Sequence, residues 1–407
     1  MSAEMPIPVA RRLIAARMVG RAGDGAYYVT AALYFHYVLK AAPLEIGAVL
    51  SSAWVIALAL TIPAGHLIDR VGPKWAAVWA NIVAGVGVGI YLTSRSVVAF
   101  AIGAAIYAIC SQTAQGAQAG LLGLVVSPAE RSRVRAKLVS RVNAALGAGA
   151  GVGGVAIGLG GTVALRVVFA IDAASFVATA ALLARLVVAR PDTASDGASM
   201  FAVVRDRRFA AVSAINVALV LHLPLIDVAL PLYIVTHTAG RHWAIAAIFI
   251  VNTTIVVFAQ QRVASHIGNM AKAVRALPVA GIALAAACGL YGLAAASLAA
   301  WAATAVLLAA AVVMTFGEMI QTASTGEISY AMAPEARHGS YQNFFGSGLS
   351  VAEAIGPLAL TVLLVDGGPA GWALLGAVFV LASIAMGPVA TGGPPRNGAV
   401  ASGKAGQ

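Results

Sequence analysis

Apolar stretches long enough to cross a membrane recur along the whole chain, and they constrain the fold more than any motif does. An α-helix rises 1.5 Å per residue, so about 20 apolar residues cover the hydrocarbon core of a bilayer. Twelve such stretches fall at 17–40, 44–68, 75–93, 97–124, 139–160, 166–188, 209–235, 243–265, 273–294, 298–325, 344–365 and 370–389. The chain of 407 residues is 60% hydrophobic and only 10% charged. That is too little charge to cover a water-facing surface. The pattern excludes a soluble globular enzyme, a disordered chain and a secreted disulfide scaffold. Inside lipid every backbone polar group must be satisfied within its own segment. The expectation is an all-α polytopic membrane protein with twelve transmembrane helices. Cys110 and Cys288 sit inside apolar runs and read as small buried hydrophobes, and with no Cys/His pair at zinc spacing no metal is expected. Arg17, Arg21 and Asp24 interrupt the first stretch, and no small-residue cleavage site follows it. It reads as a retained span, not as a removed leader.

The connections between spans are short, so neighbouring helices run antiparallel. The longest, 189–208, carries Arg190, Pro191, Asp192, Asp196, Arg205, Arg207 and Arg208. It reads as a cytoplasmic linker between a six-helix half at 1–188 and another at 209–390. A Gly/Ala-rich tail at 391–407 is expected to be disordered. Of the 26 Lys and Arg residues, 22 fall on one side of the twelve-span pattern; Lys40, Arg95, Arg166 and Arg241 fall on the other. Basic residues stay on the cytoplasmic side, so both termini are expected there, in the cytoplasmic (inner) cell membrane. The same distribution accounts for the formal net charge of +11 without a nucleic-acid partner.

The halves resemble one another. At an offset of 206 residues Pro128 falls on Pro334, Arg131 on Arg337, Gln112 on Glu318 and Gln115 on Gln321. Polar residues inside a span are costly, so their coincidence weighs more than matching alanines. Two pseudo-symmetric halves with a site between them near the midplane are an arrangement of secondary transporters.

Between the second and third spans stands Gly65-His66-Leu67-Ile68-Asp69-Arg70-Val71-Gly72-Pro73-Lys74. It resembles the G-x-L-x-D-R-x-G-x-K/R signature of the major facilitator superfamily, in the same inter-helix position. On that reading Gly65 allows close helix contact and Gly72 a tight turn. Asp69 faces a helix N-terminus of the other half, while Arg70 and Lys74 hold the segment on the cytoplasmic side, making a conformational latch. The second copy, Arg262 to Lys272, is degenerate, with Ser265 where an Asp would stand. Arg21-Ala22-Gly23-Asp24-Gly25 and Asp172-Ala173-Ala174-Ser175-Phe176 resemble segments of the bacterial drug/proton antiporter branches, the multidrug and macrolide-type exporters. Two departures matter. Gln112 stands where proton-coupled exporters often carry an Arg, in Gln112-Thr113-Ala114-Gln115-Gly116. The glycine-rich signature of the fifth helix is present only in part: Gly149, Gly153 and Gly154 fit, but Ala150 replaces its proline. Gly356-Pro357 is similar to its counterpart in the other half, and these glycines are expected at helix-packing contacts.

Ionisable groups inside spans are candidate functional groups. Asp24 reads either as the structural partner of Arg21 at i, i+3 or as a proton- or cation-binding carboxylate facing the cavity. Asp227 and His222 flank Pro224, which should loosen the seventh helix. His222 reads as a proton switch or as a packing histidine. Glu318 lies deep in the tenth helix, either as a proton carrier or as a carboxyl linking helices. Glu327 and Glu353 lie nearer helix ends, and Asp172 reads as structural. Glu318, Asp24, Asp227 and His222 are therefore the proton-coupling candidates. Tyr27, Tyr28, Tyr34, Gln112, Gln115, Asn252 and Gln321 are the candidates for lining a substrate cavity, since aromatic faces suit flat or cationic molecules.

No Walker A pattern and no recognisable catalytic set occurs, so neither an enzyme nor a bound cofactor is expected. The resemblance implies a monomeric secondary transporter that exports a drug-like or secondary-metabolite small molecule, driven by a proton gradient. An importer or uniporter of a neutral or cationic nutrient remains open, as does a membrane sensor or scaffold without transport.

Overall fold

The structure is a computed structural model and describes residues 7–38, 40–93, 96–125, 131–187, 205–296, 298–334 and 338–392. Among these the chain is helical, with no strand. The first half holds α1 (Ile7–Tyr37), α2 (Pro43–Ala59), α3 (Thr61–Val71), α4 (Pro73–Thr93), α5 (Val97–Val125), α6 (Arg131–Leu159) and α7 (Gly161–Ala184). The second holds α8 (Arg207–Leu219), α9 (His222–Pro224), a π turn (Leu225–Ala229), α10 (Leu230–His237), α11 (Trp243–His266), α12 (Met270–Leu293), α13 (Ala300–Met332), α14 (His338–Leu360), a second π turn (Thr361–Asp366) and α15 (Gly368–Thr391). Ten helical runs among the described residues are long and apolar enough to cross a membrane. Here α8 to α10 form one run, and so do α14 and the π turn after it. The two other crossings are α1, interrupted by charge, and the α2–α3 pair.

Helix pairing repeats between the halves. In the first, α4 packs on α5 and α7, α2 on α5, and α1 on α7; in the second, α12 packs on α13 and α15, α11 on α13, and α8 on α15. The halves meet where α2 packs on α14 and α6 packs on α11. These two contacts are again equivalent under the repeat, so the architecture is two pseudo-symmetric six-helix units. One end of the bundle holds Arg70, Lys74, Arg207, Arg262 and Lys272 and is called the basic end; the opposite end holds the turns after α1, α5's start, α6 and α10.

The halves are joined toward the opposite end. There the Ser51 hydroxyl accepts a hydrogen bond from the Leu358 amide at 2.9 Å. A Cβ on Gly47 would lie 2.8 Å from the Pro357 carbonyl oxygen. The Tyr37 and His242 rings stand 6.2 Å apart. It is α2, the part of its crossing away from the basic end, that packs on α14.

Proline places the irregularities. The stretch 44–68, expected as one helix, breaks at Leu60 (φ −88°, ψ 2°). Pro63 has no amide to offer the Ala59 carbonyl. The segment expected as a connecting loop, Gly65 to Lys74, is helical except for Gly72, whose φ of +87° makes a one-residue corner ahead of Pro73. That φ lies in the region only glycine enters freely. At Pro224 the seventh crossing loosens as expected, into the short α9 and the π turn at Leu225–Ala229. Pro357 likewise withholds the amide that the Glu353 carbonyl would receive, and the Thr361 hydroxyl donates to the Pro357 carbonyl at 2.6 Å where the second π turn begins. The linker 189–208 lies largely outside the described residues, as do Pro128 and Arg337 of the repeat and the tail beyond 392.

A candidate site between the halves

Helix α1 is the spine of the site. Arg17, Arg21, Asp24 and Tyr28 follow one another at intervals of four, three and four residues, the spacing that lines one helix face. Glycines let neighbours approach this helix. A Cβ on Gly149 would fall on the Ala22 carbonyl, one on Gly25 on the Leu146 carbonyl, and one on Gly153 at 3.0 Å from the Ala26 carbonyl. A Cβ on Gly154 would lie 2.5 Å from Ala246 Cβ, across the halves. Gly356 packs against the Pro224 ring in the same way. A Cβ on Gly65, in contrast, would meet nothing within 4 Å, so this residue makes no close helix contact and the expectation for it is corrected. Lys74 Nζ lies 4.8 Å from the Trp75 ring centroid, Arg70 is exposed, and the Asp69 side chain lies outside what the structure describes.

The polar face of α1 is held by short bonds. Arg17 Nε donates to Gln118 Oε1 at 3.0 Å. Arg21 Nη1 pairs with Asp24 Oδ2 at 3.2 Å, and Tyr107 donates its hydroxyl to Asp24 Oδ1 at 3.4 Å. Arg17, Arg21, Asp24 and Gln118 line a chamber of about 300 Å³ on the basic side, together with Asn81, Gln115 and Ser111. Asp24 is thus ion-paired with Arg21 and also lines the chamber.

Beyond Asp24 lies a second, smaller cavity of about 40 Å³, walled from both halves. The first half supplies Tyr27, Tyr28, Trp54 and Tyr107; the second supplies Asp227 and Glu353. Tyr107 belongs to this wall while bonding Asp24 on the chamber side, so the two residues form the partition. Asp227 is carried by the first π turn, and Glu353 sits one helical turn before Pro357. Sequence reading put Glu353 near a helix end. Its crossing runs from His338 through the second π turn to Asp366, starting six residues before the expected 344–365, which leaves Glu353 well inside.

Other candidates fall elsewhere. Tyr34 is fully buried and donates to the Tyr91 carbonyl at 2.6 Å, within an aromatic cluster with Phe35, Phe100 and Phe169. It packs the first half and does not line a cavity. Gln321 is likewise buried, donating to Asn216 Oδ1 at 3.2 Å and to Thr325 at 3.3 Å. Glu318 Oε2 accepts from Asn252 Nδ2 at 2.7 Å, and Asn252 also donates to Thr315 at 3.1 Å, so Glu318 joins α11 to α13. Gln112, its counterpart at the offset of 206, instead donates to Ser350 Oγ at 2.9 Å and ties the two halves together. His222 is buried with Nδ1 2.8 Å from the Leu219 carbonyl and Nε2 without a partner; it borders neither cavity. Asp172 is fully buried behind Gly23, and neither carboxyl oxygen has a hydrogen-bond partner.

Glu353, Trp54, Tyr107 and Arg17 were missed as site residues. The 17, 21, 24, 28 stripe was a readable signal for Arg17. Tyr107 and Trp54 carry none, because only tertiary packing brings them to α1. Among the described residues no group of three or more His, Cys, Asp or Glu side chains could hold a metal ion.

The family model described as Major Facilitator Superfamily matches residues 13–306. Among solved structures, the chain is similar to the nucleoside transporter NupG, with 13% identity over 95% of this chain and 99% of that one and a TM-score of 0.71. It is similar to a POT family transporter in complex with 5-aminolevulinic acid, with 11% identity, 95% and 98% coverage and a TM-score of 0.75. It is also similar to a bacterial homologue of the iron transporter ferroportin in an inward-facing state, with 16% identity, 95% and 99% coverage and a TM-score of 0.72. At such identities the likeness is one of fold. No curated protein matches the sequence.

Proposed function

The chain belongs to the major facilitator superfamily, and we propose that it is a proton-coupled exporter of a drug-like or secondary-metabolite small molecule, working by alternating access in the inner membrane. The observation that carries this reading is the cavity between the halves: one wall comes from each half, so rocking one against the other opens or closes it. The charge distribution supports a cytoplasmic position for the basic end. The junction at the opposite end then makes this an inward-facing arrangement, with the chamber of Arg17, Arg21 and Asp24 on the cytoplasmic side.

Coupling is assigned to Asp227, with Glu353 beside it in the same cavity. Their carboxyls have no hydrogen bond or ion pair among the described residues, and a bare charge in a membrane interior is costly, so each is neutralised by a proton or by a bound cation. Asp24 already has Arg21, and Glu318 has Asn252; both are secondary coupling candidates. Gly72 provides the corner of the proposed latch, with Asp69, Arg70 and Lys74 around it. The working unit is taken as a monomer.

The test uses purified protein in proteoliposomes with an imposed pH gradient of either sign and a panel of labelled small molecules. Outward solute movement driven by inward protons, lost in Asp227→Asn, is the expected result. Solute movement indifferent to the gradient overturns proton coupling, and gradient-driven movement in the same direction as protons overturns export.

A further inference from the structure

We propose that the cavity between the halves binds the ammonium head of a primary amine, with Asp227 and Glu353 as its counter-charges and Tyr27, Tyr28, Tyr107 and Trp54 as its aromatic wall. This assigns a substrate class to the exporter proposed above and rests on that reading for its role in transport.

Charge is the first argument. Two carboxyl side chains line the cavity and no Lys, Arg or His does. The nearby guanidinium, Arg21, pairs with Asp24 at 3.2 Å across the partition and acts on Asp227 and Glu353 only from outside the cavity. A monocation neutralises one of the two acids while a proton held on the other removes its charge; an anion adds negative charge to a low-dielectric pocket.

The aromatic wall is an independent observation. Tyr27 stands edge-on to Tyr28 with centroids 5.8 Å apart and tilted to Tyr107 at 5.3 Å, while Trp54 lines the same space. Ring faces attract cations, Trp most strongly, and the attraction grows when the cation is desolvated.

Hydrogen bonding selects the head group in this small cavity. A primary ammonium carries three N–H donors, as a lysine head does, and the two carboxyl groups offer acceptors for all three, whereas a trimethylammonium group has no N–H to donate. The acids come from the second half and the rings from the first, so the amine is fully enclosed only when the halves are together at this level.

The experiment measures binding to the full chain in lipid nanodiscs by calorimetry. The probes are phenethylamine, its neutral isostere 2-phenylethanol, and phenethyltrimethylammonium. Phenethylamine is expected to bind at least tenfold more tightly than either of the others. The Asp227→Asn/Glu353→Gln double variant is expected to lose at least tenfold in amine affinity, and Asp366→Asn, an exposed acid outside the cavity, none. The proposal is overturned if wild-type protein binds the alcohol as tightly as the amine or binds no amine. It is also overturned if a double variant with wild-type melting keeps its amine affinity. Should the double variant not fold, the wild-type ranking of the three probes decides alone. A vesicle assay separates this inference from the transport reading. Gradient-driven movement restricted to neutral or anionic solutes sinks the amine site and leaves the exporter; amine binding without movement of any solute does the reverse.

Discussion

The two halves share one helix pattern but treat the acids that border the cavities in opposite ways. In the first, Asp24 is held at both oxygens, by Arg21 and by Tyr107, and Arg17 is held by Gln118. In the second, amides and hydroxyls bond one another and Glu318, through Asn252, Thr315, Asn216 and Gln321. The cavity acids Asp227 and Glu353 are left facing open space. The difference teaches that a repeated fold does not repeat its electrostatics. One half carries its counter-charge within itself and works as a fixed wall. The other keeps its acids available, so it can respond to what arrives. Gln112 and Glu318 make the same point at equivalent positions, one bridging the halves and the other bonded within its own.

The sharpest way to break this comparison is to remove the internal counter-charge of the first half. Arg21→Met leaves Asp24 without its ion pair at the chamber wall and is expected to cost about 3 kcal/mol. Adding Asp24→Asn should recover most of it, as read from melting in detergent. If Arg21→Met melts like wild type, the pair is not what neutralises the first half. Next in size is Gly149→Ala, which drives a Cβ into the Ala22 carbonyl and should cost about 1–3 kcal/mol. Gly151→Ala, with nothing within 4 Å of its Cβ, should be neutral or slightly stabilising. Equal melting of the two variants would remove the argument that α1 and α6 lock backbone to backbone. Gln112→Ala should cost about 1 kcal/mol and act on the junction between halves, increasing labelling of single cysteines placed near Gly47 at the opposite end. Unchanged labelling would mean that the Ser350 bond does not help hold the halves. The smallest effect belongs to Glu318→Gln, within about 0.5 kcal/mol, because a Gln oxygen still accepts from Asn252. A loss of several kcal/mol there would show that the second half also depends on a fixed charge.

Much of this fold was legible because hydrocarbon is an unforgiving solvent. Twelve crossings, the short turns and the doubled organisation follow from apolar length and from polar residues recurring at one offset. Breaks were legible where proline causes them, as at Pro224, and overlooked where the apolar run continues through them, as at Pro63. The site was legible only in pieces. Asp24, Asp227, Tyr27 and Tyr28 stand out because a charge or a ring cluster in an apolar helix is conspicuous by itself. Glu353 lies deeper than expected because its crossing begins at His338, six residues before the expected start at 344. Tyr34, Gln321 and Asn252 look like cavity groups in sequence, and only packing distances show that the Tyr91 carbonyl, Asn216 and the pair Thr315 and Glu318 already engage them. Pairings over 83 or 101 positions, such as Tyr107 with Asp24 and Gln118 with Arg17, have no local signature.

Asp227 owes its direction to the wide turn at Leu225–Ala229. Such a turn accommodates an additional residue compared with the ordinary helix, and each residue swings the chain by about 100°. Shortening this stretch by a single position would let the helix close up normally while pointing the acid at a different neighbour. Aim, at this spot, is written in the number of residues as much as in their kind, so a deletion that leaves every chemical group intact is enough to unmake the pocket.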